Sequence, residues 1–236
     1  MNKPDLSIIV PTYNENKNIE TLIIRVSDTL TKYALKGEII VVDDSSPDGT
    51  AELANKMSQQ YPVRVYIRNK REGPCPAILD GIRLAQAPIV CVMDGDLSHP
   101  PEAVPKMFHL IKLGQAKLVI GSRHTKGGKT SKWIWYRKFL SWGARSLAKL
   151  ITPVKDLTSG FFMFDKKIME TPDFNPIGCK VGLELIVKGN HQGKIKEYPI
   201  VFIERAAGES KMGWRETRQY IQHLTALSWY KLTHRK

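Results

Sequence analysis

Ile89-Val90-Cys91-Val92-Met93-Asp94-Gly95-Asp96 is the stretch that decides the fold. Its first five residues are apolar and partly β-branched, the pattern of a strand buried on both faces. Two carboxylates one residue apart then stand where the strand leaves the sheet, so both can face one site. Their oxygens suit a hard divalent cation, Mg2+ or Mn2+, especially one that also holds phosphate oxygens. A D-x-D by itself is common in surface turns, so its meaning depends on what ends the neighbouring strands.

Upstream, strand patterns at 6–10, 38–42 and 63–67 alternate with helical patterns at about 18–36, 50–61 and 77–85. Downstream come a helix over 101–113 and a strand over 118–121. This alternation predicts an α/β fold: an open, mostly parallel sheet with helices on both faces. Such sheets bind ligands beyond the carboxyl ends of their strands. The second half is less regular. It reads as a helix over 133–151, strands over 160–164 and 194–203, a helix over 181–188 and a last helix over 213–233. The expected organisation is one domain over 1–212, followed by a C-terminal helix over 213–236. Within the domain, a nucleotide-binding half covers about 1–122 and an acceptor half about 123–212.

Three strand ends carry polar clusters: Pro11-Thr12-Tyr13-Asn14-Glu15, Asp43-Asp44 and Asp94-Gly95-Asp96. Parallel strands bring all three to one edge, a cleft with Asp44 near a base or ribose and Asp94 and Asp96 near a diphosphate. Each cluster alone is what any strand exit shows; three together are not. Neither G-x-G-x-x-G after the first strand nor G-x-x-x-x-G-K-[ST] occurs, so a diphosphate would be held by a metal and basic side chains.

The formal net charge of +13 calls for an anionic partner: nucleic acid, a phosphorylated ligand or an anionic membrane surface. Cys75, Cys91 and Cys179 lack metal-ligand spacing and read as reduced thiols. The chain enters a strand pattern almost at once, so no targeting segment is expected. No apolar run approaches the ~20 residues that cross a bilayer. A cytoplasmic protein, peripheral on a membrane face, is the expectation.

The motifs resemble those of family 2 glycosyltransferases. The resemblance rests on Pro11-Thr12-Tyr13-Asn14-Glu15, Val42-Asp43-Asp44 with Ser46-Pro47-Asp48-Gly49-Thr50, and Asp94-Gly95-Asp96-Leu97-Ser98-His99. Further on, Gly121-Ser122-Arg123, Tyr136-Arg137-Lys138, Asp156-Leu157-Thr158-Ser159-Gly160-Phe161, Asn175-Pro176-Ile177-Gly178 and Gly208-Glu209-Ser210-Lys211 resemble the polyprenyl-phosphate branch, the dolichyl-phosphate mannose synthases. The resemblance implies a GT-A fold that takes GDP-mannose and Mg2+ or Mn2+. It places Pro11, Tyr13, Glu15, Val42 and Asp44 around the guanosine. Asp94, Gly95 and Asp96 fall on the diphosphate and metal, with Ser98 as a further metal contact. Arg205 and Lys211 fall on the donor phosphates, and Arg123 and Arg137 on the acceptor phosphate. Asp96, Arg123 and Arg137 are the residues implied in catalysis.

The implied reaction is attack of a lipid phosphate oxygen on the anomeric carbon, with GDP leaving and the centre inverted. An ionised phosphate needs no general base, so positioning and charge stabilisation carry the chemistry. Where the family has a small Gly-rich stretch, this chain has Pro74-Cys75-Pro76-Ala77. Two prolines there remove two backbone donors, and Pro76 suits the start of a helix.

Other residues have plainer readings. Asp156, Thr158 and Ser159 suit a turn before a strand. Glu184 on its helix is a surface residue or a site residue. His99 caps the next helix or packs under the metal site. Cys75 is a small buried or loop residue.

Nine Lys or Arg and no acidic residue lie between Arg123 and Lys155, with Trp133, Trp135 and Trp142 among them. Tyr136, Leu140, Ala144, Leu147 and Ile151 form one helical stripe there. Such a segment suits the headgroup region of a bilayer, or a core-packed helix with a solvated basic face. The last helix, with Trp229, Tyr230 and Leu232, adds a second interfacial surface or binds a membrane-embedded subunit. Two other functions fit parts of the sequence: glucose transfer from UDP-glucose to a polyprenyl phosphate, and a basic nucleic-acid-binding module. The basic residues gather in one aromatic-rich segment without a nucleic-acid motif, so no nucleic-acid partner is expected.

Overall fold

The computed structural model describes residues 3–130, 152–170, 174, 180–203 and 214–233. The helix expected over 133–151 lies outside the described residues, as do Cys179, Arg137, Arg205 and Lys211.

Seven strands form the main sheet in the order β3-β2-β1-β4-β7-β5-β8. They are β1 (Leu6–Thr12), β2 (Gly37–Asp43), β3 (Val63–Ile67), β4 (Ile89–Val92), β5 (Leu118–Ser122), β7 (Phe162–Asp165) and β8 (Ile195–Pro199). A second, two-stranded sheet pairs β6 (Lys129–Thr130) with β9 (Val201–Phe202). The strand expected over 194–203 is thus two: it breaks at Ile200 between sheets, where Ile200 N–H donates to the Ser122 carbonyl.

Helices cover both faces. Leu6, Ile8 and Val10 of β1 turn to the face covered by α1 (Asn16–Lys32), α2 (Thr50–Met57) and α4 (Val104–Lys112). Ile9 turns to the face covered by α3 (Pro74–Leu84), α5 (Val181–Lys188) and α6 (Trp214–Thr233). Alternate residues therefore enter two separate apolar cores, and β1 must be apolar throughout. Each such buried Ile or Leu contributes about 1.5–3 kcal/mol, so a polar residue at Ile8 or Ile9 would unseat the centre of the sheet. The face of α3 is matched to β1 at Gly81, where a methyl group would collide with Ile9. Gly73, at φ 95°, turns the chain into α3, which begins at Pro74, two residues before the start expected at Pro76.

Every strand of the main sheet is parallel to its neighbours except β7, which runs antiparallel to both β4 and β5. The register sets Val92 and Ile120 opposite Phe162. β7 thus enters the sheet at the edge where the parallel strands leave it. The segment 156–161, which leads into β7, is delivered to the edge that bears Asp94 and Arg123.

Candidate active site

Four loops build the site, one beyond each of β1, β2, β4 and β5. Three residues other than glycine have left-handed backbone at these exits: Asn14 at φ 58°, Ser45 at φ 62° and Leu97 at φ 64°. Non-glycine residues in this region cost about 1–3 kcal/mol each and gather at functional sites. Here they turn the chain sharply off the sheet edge.

The first two loops are laced together. Asp43 is fully buried and accepts from Thr12 Oγ1 at 2.8 Å, Ser46 N–H at 2.7 Å and Ser46 Oγ at 2.6 Å. Asn14 N–H donates to Ser46 Oγ and Glu15 N–H to Thr50 Oγ1, both at 2.9 Å. The half-buried Tyr13 carries the Arg71 guanidinium 3.9 Å above its ring.

Asp44 is buried and already engaged. It accepts from Arg68 Nη1 at 2.7 Å, Gly73 N–H at 2.7 Å and Glu72 N–H at 3.1 Å. Arg68 also binds Asp80 at 2.8 Å and Glu72 at 2.5 Å. Burial works against its charge, but hydrogen bonds to Asp80, Asp44 and Glu72 outweigh that and raise its pKa. Asp44 therefore clamps the loop before α3, and a nucleoside contact would be added to a carboxylate with other partners. Arg68 was not legible as a hub, because its three carboxylates come from three separate elements.

In the loop after β4, Asp96 Oδ1 accepts from Ser98 N–H at 3.1 Å, and the side chain of Asp94 is 44% exposed. Gly95 is needed for close approach: a Cβ there would stand 3.2 Å from Thr12 Cγ2 and 3.4 Å from Glu15 Cγ. Ser98 Oγ is buried without a hydrogen-bond partner. Buried hydroxyls rarely stay unsatisfied, and this one belongs to the residue whose N–H holds the Asp96 carboxylate. The donor set of two carboxylates and a hydroxyl fits Mg2+ or Mn2+. Among the described residues no group of three or more His, Cys, Asp or Glu gathers for a metal. A cation here would complete its shell with water and substrate oxygens.

His99 packs under this loop. Its Nδ1 accepts from Asp94 N–H at 3.0 Å, so the proton is on Nε2, 3.8 Å from Asp94 Oδ2. The imidazole stacks on Phe161 at 5.2 Å. Burial lowers its pKa, Asp94, Asp96 and Asp156 pull it back up, and Arg123 pushes it down again. Two acidic residues of the β4 exit, the arginine of the β5 exit and Asp156 thus all act on one buried ring.

Arg123 follows β5. Its Nε donates to Asp156 Oδ2 and its Nη2 to Asp156 Oδ1, each at 2.8 Å, and Nη2 also donates to Thr158 Oγ1 at 2.9 Å. Burial alone would raise the Asp156 pKa, but hydrogen bonds and charge from Arg123 bring it below the ordinary carboxylate range. Asp156 and Thr158 therefore do more than shape a turn. Ser159 Oγ donates to the Gly121 carbonyl at 2.6 Å, which ties the turn to β5. Glu184 is on α5 and is not a surface residue. It is fully buried and bonded to His223 on α6 and Lys188 on α5, so it serves packing. Cys75 and Cys91 are buried, and burial pushes the Cys91 thiol up.

Glycosyl transferase family 2 matches residues 7–171. A dolichol-phosphate mannosyltransferase of Pyrococcus furiosus is 42% identical over 94% of this chain, which spans 63% of that protein's length. Those of Mycosarcoma maydis and Saccharomyces cerevisiae are 38% and 37% identical over 95% and 96% of the chain, which spans 79% and 88% of theirs. Among solved structures, the glucosyl-3-phosphoglycerate synthase of Mycobacterium tuberculosis with Mn2+, uridine diphosphate and glucosyl-3-phosphoglycerate superposes with a TM-score of 0.70 at 21% identity, covering 95% of this chain and 80% of that one. The mannosyl-3-phosphoglycerate synthase of Rubrobacter xylanophilus gives 0.72 at 18% identity, covering 94% and 73%. These likenesses agree with the sheet order in showing the GT-A α/β fold. By the extent of the family match and the identity of its relatives, the chain belongs to glycosyltransferase family 2.

Proposed function

We propose that this chain moves mannose from GDP-mannose to dolichyl phosphate or another polyprenyl phosphate, releasing GDP and leaving a β-linked mannosyl phosphate. The observation that carries this reading is the buried imidazole of His99, which accepts from the Asp94 N–H and packs against Phe202, the ring that also meets the Arg123 guanidinium. An acidic, oxygen-rich corner for a metal-bound diphosphate thus adjoins a cationic corner for a second phosphate. The relatives' name, dolichol-phosphate mannosyltransferase, supports the choice of sugar and acceptor.

The bond from the anomeric carbon to the donor phosphate breaks as a bond to the acceptor phosphate oxygen forms on the opposite face. Mg2+ or Mn2+, held by Asp94, Asp96 and Ser98, would supply charge neutralisation for the diphosphate. Pro11, Tyr13, Glu15 and Asp44 belong to the nucleoside side of this reading, and Val42, whose side chain is fully buried in the core under α3, joins them through its backbone alone. Arg123 is the acceptor-phosphate contact of this reading, and Asp156 holds its Nε–Nη2 fork. Asp156 thereby aims the guanidinium and prevents it from swinging onto the donor. Arg137 belongs to the same reading as an acceptor contact, and Arg205 and Lys211 as donor-phosphate contacts.

The acceptor is a lipid, so the reaction belongs at the cytoplasmic face of a membrane, with the chain attached peripherally or to a membrane-embedded subunit. No described helix is long and apolar enough to cross a membrane. Trp229 and Leu232 stand exposed on α6, available to a bilayer surface or a subunit.

The test is a donor and acceptor screen with labelled GDP-mannose and UDP-glucose, dolichyl phosphate and either cation. Lipid-linked mannose from GDP-mannose supports the reading. Glucose transfer alone, or no lipid product, refutes it.

A further inference from the structure

We propose that Phe202 is a positioning residue that holds the metal-side loop and Arg123 in one register. The proposal rests on the function above and adds a residue to its machinery. Phe202 is half-buried between the two corners. Its ring meets the His99 imidazole edge-on at 5.7 Å, and the Arg123 guanidinium lies 5.1 Å from the ring centre. His99 in turn fixes the backbone N–H of Asp94. One ring therefore touches both the side chain that supports the acidic pair and the cation of the other corner.

The backbone on either side of Phe202 is tied to the same two places. Ile200 N–H donates to the carbonyl of Ser122, the neighbour of Arg123, at 3.0 Å. Ile203 N–H donates to the carbonyl of Ser98, beside Asp96, at 3.3 Å. Four residues thus span the β5 exit and the β4 exit, and the alternation of the strand turns Phe202 inward while Val201 and Ile203 are exposed. An aromatic face suits a guanidinium and an imidazole edge together, which a branched aliphatic group of similar bulk does not. In a displacement between two separately bound phosphates, misplacement by about 1 Å costs up to 100-fold in rate. A bridge of this kind sets that distance.

The test uses Phe202→Leu, Phe202→Tyr, Arg123→Lys and the pair Phe202→Leu with Arg123→Lys, with kcat taken per folded molecule so that the stability Arg123→Lys gives up with the Asp156 fork does not enter. Hydrogen exchange at the Asp94 amide is read first, because it does not depend on the reaction. Phe202→Leu should speed that exchange about tenfold or more and lower kcat by about 10- to 100-fold, and Phe202→Tyr should restore both. The double variant should lose less activity than the product of the two single losses, because both changes break one contact. Unchanged exchange at Asp94 together with wild-type kcat in Phe202→Leu would overturn the proposal, as would strictly multiplicative losses. A wild-type protein that transfers no mannose would sink the functional reading alone, and the exchange experiment would still decide the role of Phe202.

Discussion

Asp156 takes two hydrogen bonds from the guanidinium of Arg123 and a third, at 3.0 Å, from its backbone N–H. The carboxylate is in turn held by its own N–H, which donates to Glu197 on β8. Arg123 is 9% exposed and Asp156 is fully enclosed, so the pair is geometrically defined. Losing one partner of such a buried pair costs about 3–5 kcal/mol, because the other charge is left uncompensated. Asp156→Ala should therefore lower stability to urea by roughly that amount. An unfolding midpoint equal to wild type would show that the pair is dispensable.

The same pair has a pH signature. The Asp156 pKa is depressed in the folded state, so its stabilisation is complete above the unfolded value of about 3.9 and is lost as pH falls through the lower folded value. Stability should fall below about pH 4, and less steeply in Asp156→Asn. Parallel stability curves for the two proteins would remove Asp156 from the acid response.

Gly160 leaves room for Asp94. A Cβ at Gly160 would lie 3.0 Å from Asp94 Oδ1 and 3.1 Å from Oδ2. The Asp94 carboxylate is partly exposed and can give way, so Gly160→Ala should change stability by under about 1 kcal/mol. The displaced carboxylate should bind Mn2+ about tenfold more weakly. Paramagnetic titration of Mn2+ measures this directly, and an unchanged affinity would exclude Asp94 from the metal.

Glu184 joins α5 to α6 through Lys188 and His223. Glu184→Ala should cost about 3 kcal/mol, while turnover per folded molecule stays within about twofold. A large fall in kcat without loss of stability would return Glu184 to the active site.

Much of this arrangement was legible in the residues. The apolar runs at 6–10, 38–42 and 89–93 end in polar clusters, and parallel pairing of β1 with β2 and β4 brings those clusters to one edge. The antiparallel course of β7 was not legible, because Phe162-Met163-Phe164 carries no sign of direction. Without it, Asp156 reads as a turn residue and Gly160 as a strand residue. Asp44 was legible as a carboxylate at a strand end, while its grip on Glu72 and Gly73 was not, since those partners lie 28 and 29 positions away. The switch of sheet at Ile200 was hidden because 194–203 reads as one strand, with Pro199 the only break in it, and the two-residue β6 is too short to leave any pattern.

The proposed function divides the labour between the β4 exit, for the donor, and the β5 exit, for the acceptor phosphate. Calorimetric binding of GDP-mannose with Mn2+, combined with the KM for dolichyl phosphate, tests it most directly in Asp96→Ala and Arg123→Lys. Asp96→Ala should lose Mn2+-dependent donor binding. Arg123→Lys should bind the donor as wild type does but show an acceptor KM raised about tenfold or more, because lysine cannot keep the two-point bond to Asp156. Equal loss of donor binding in both variants, or an unchanged acceptor KM in Arg123→Lys, would contradict the account.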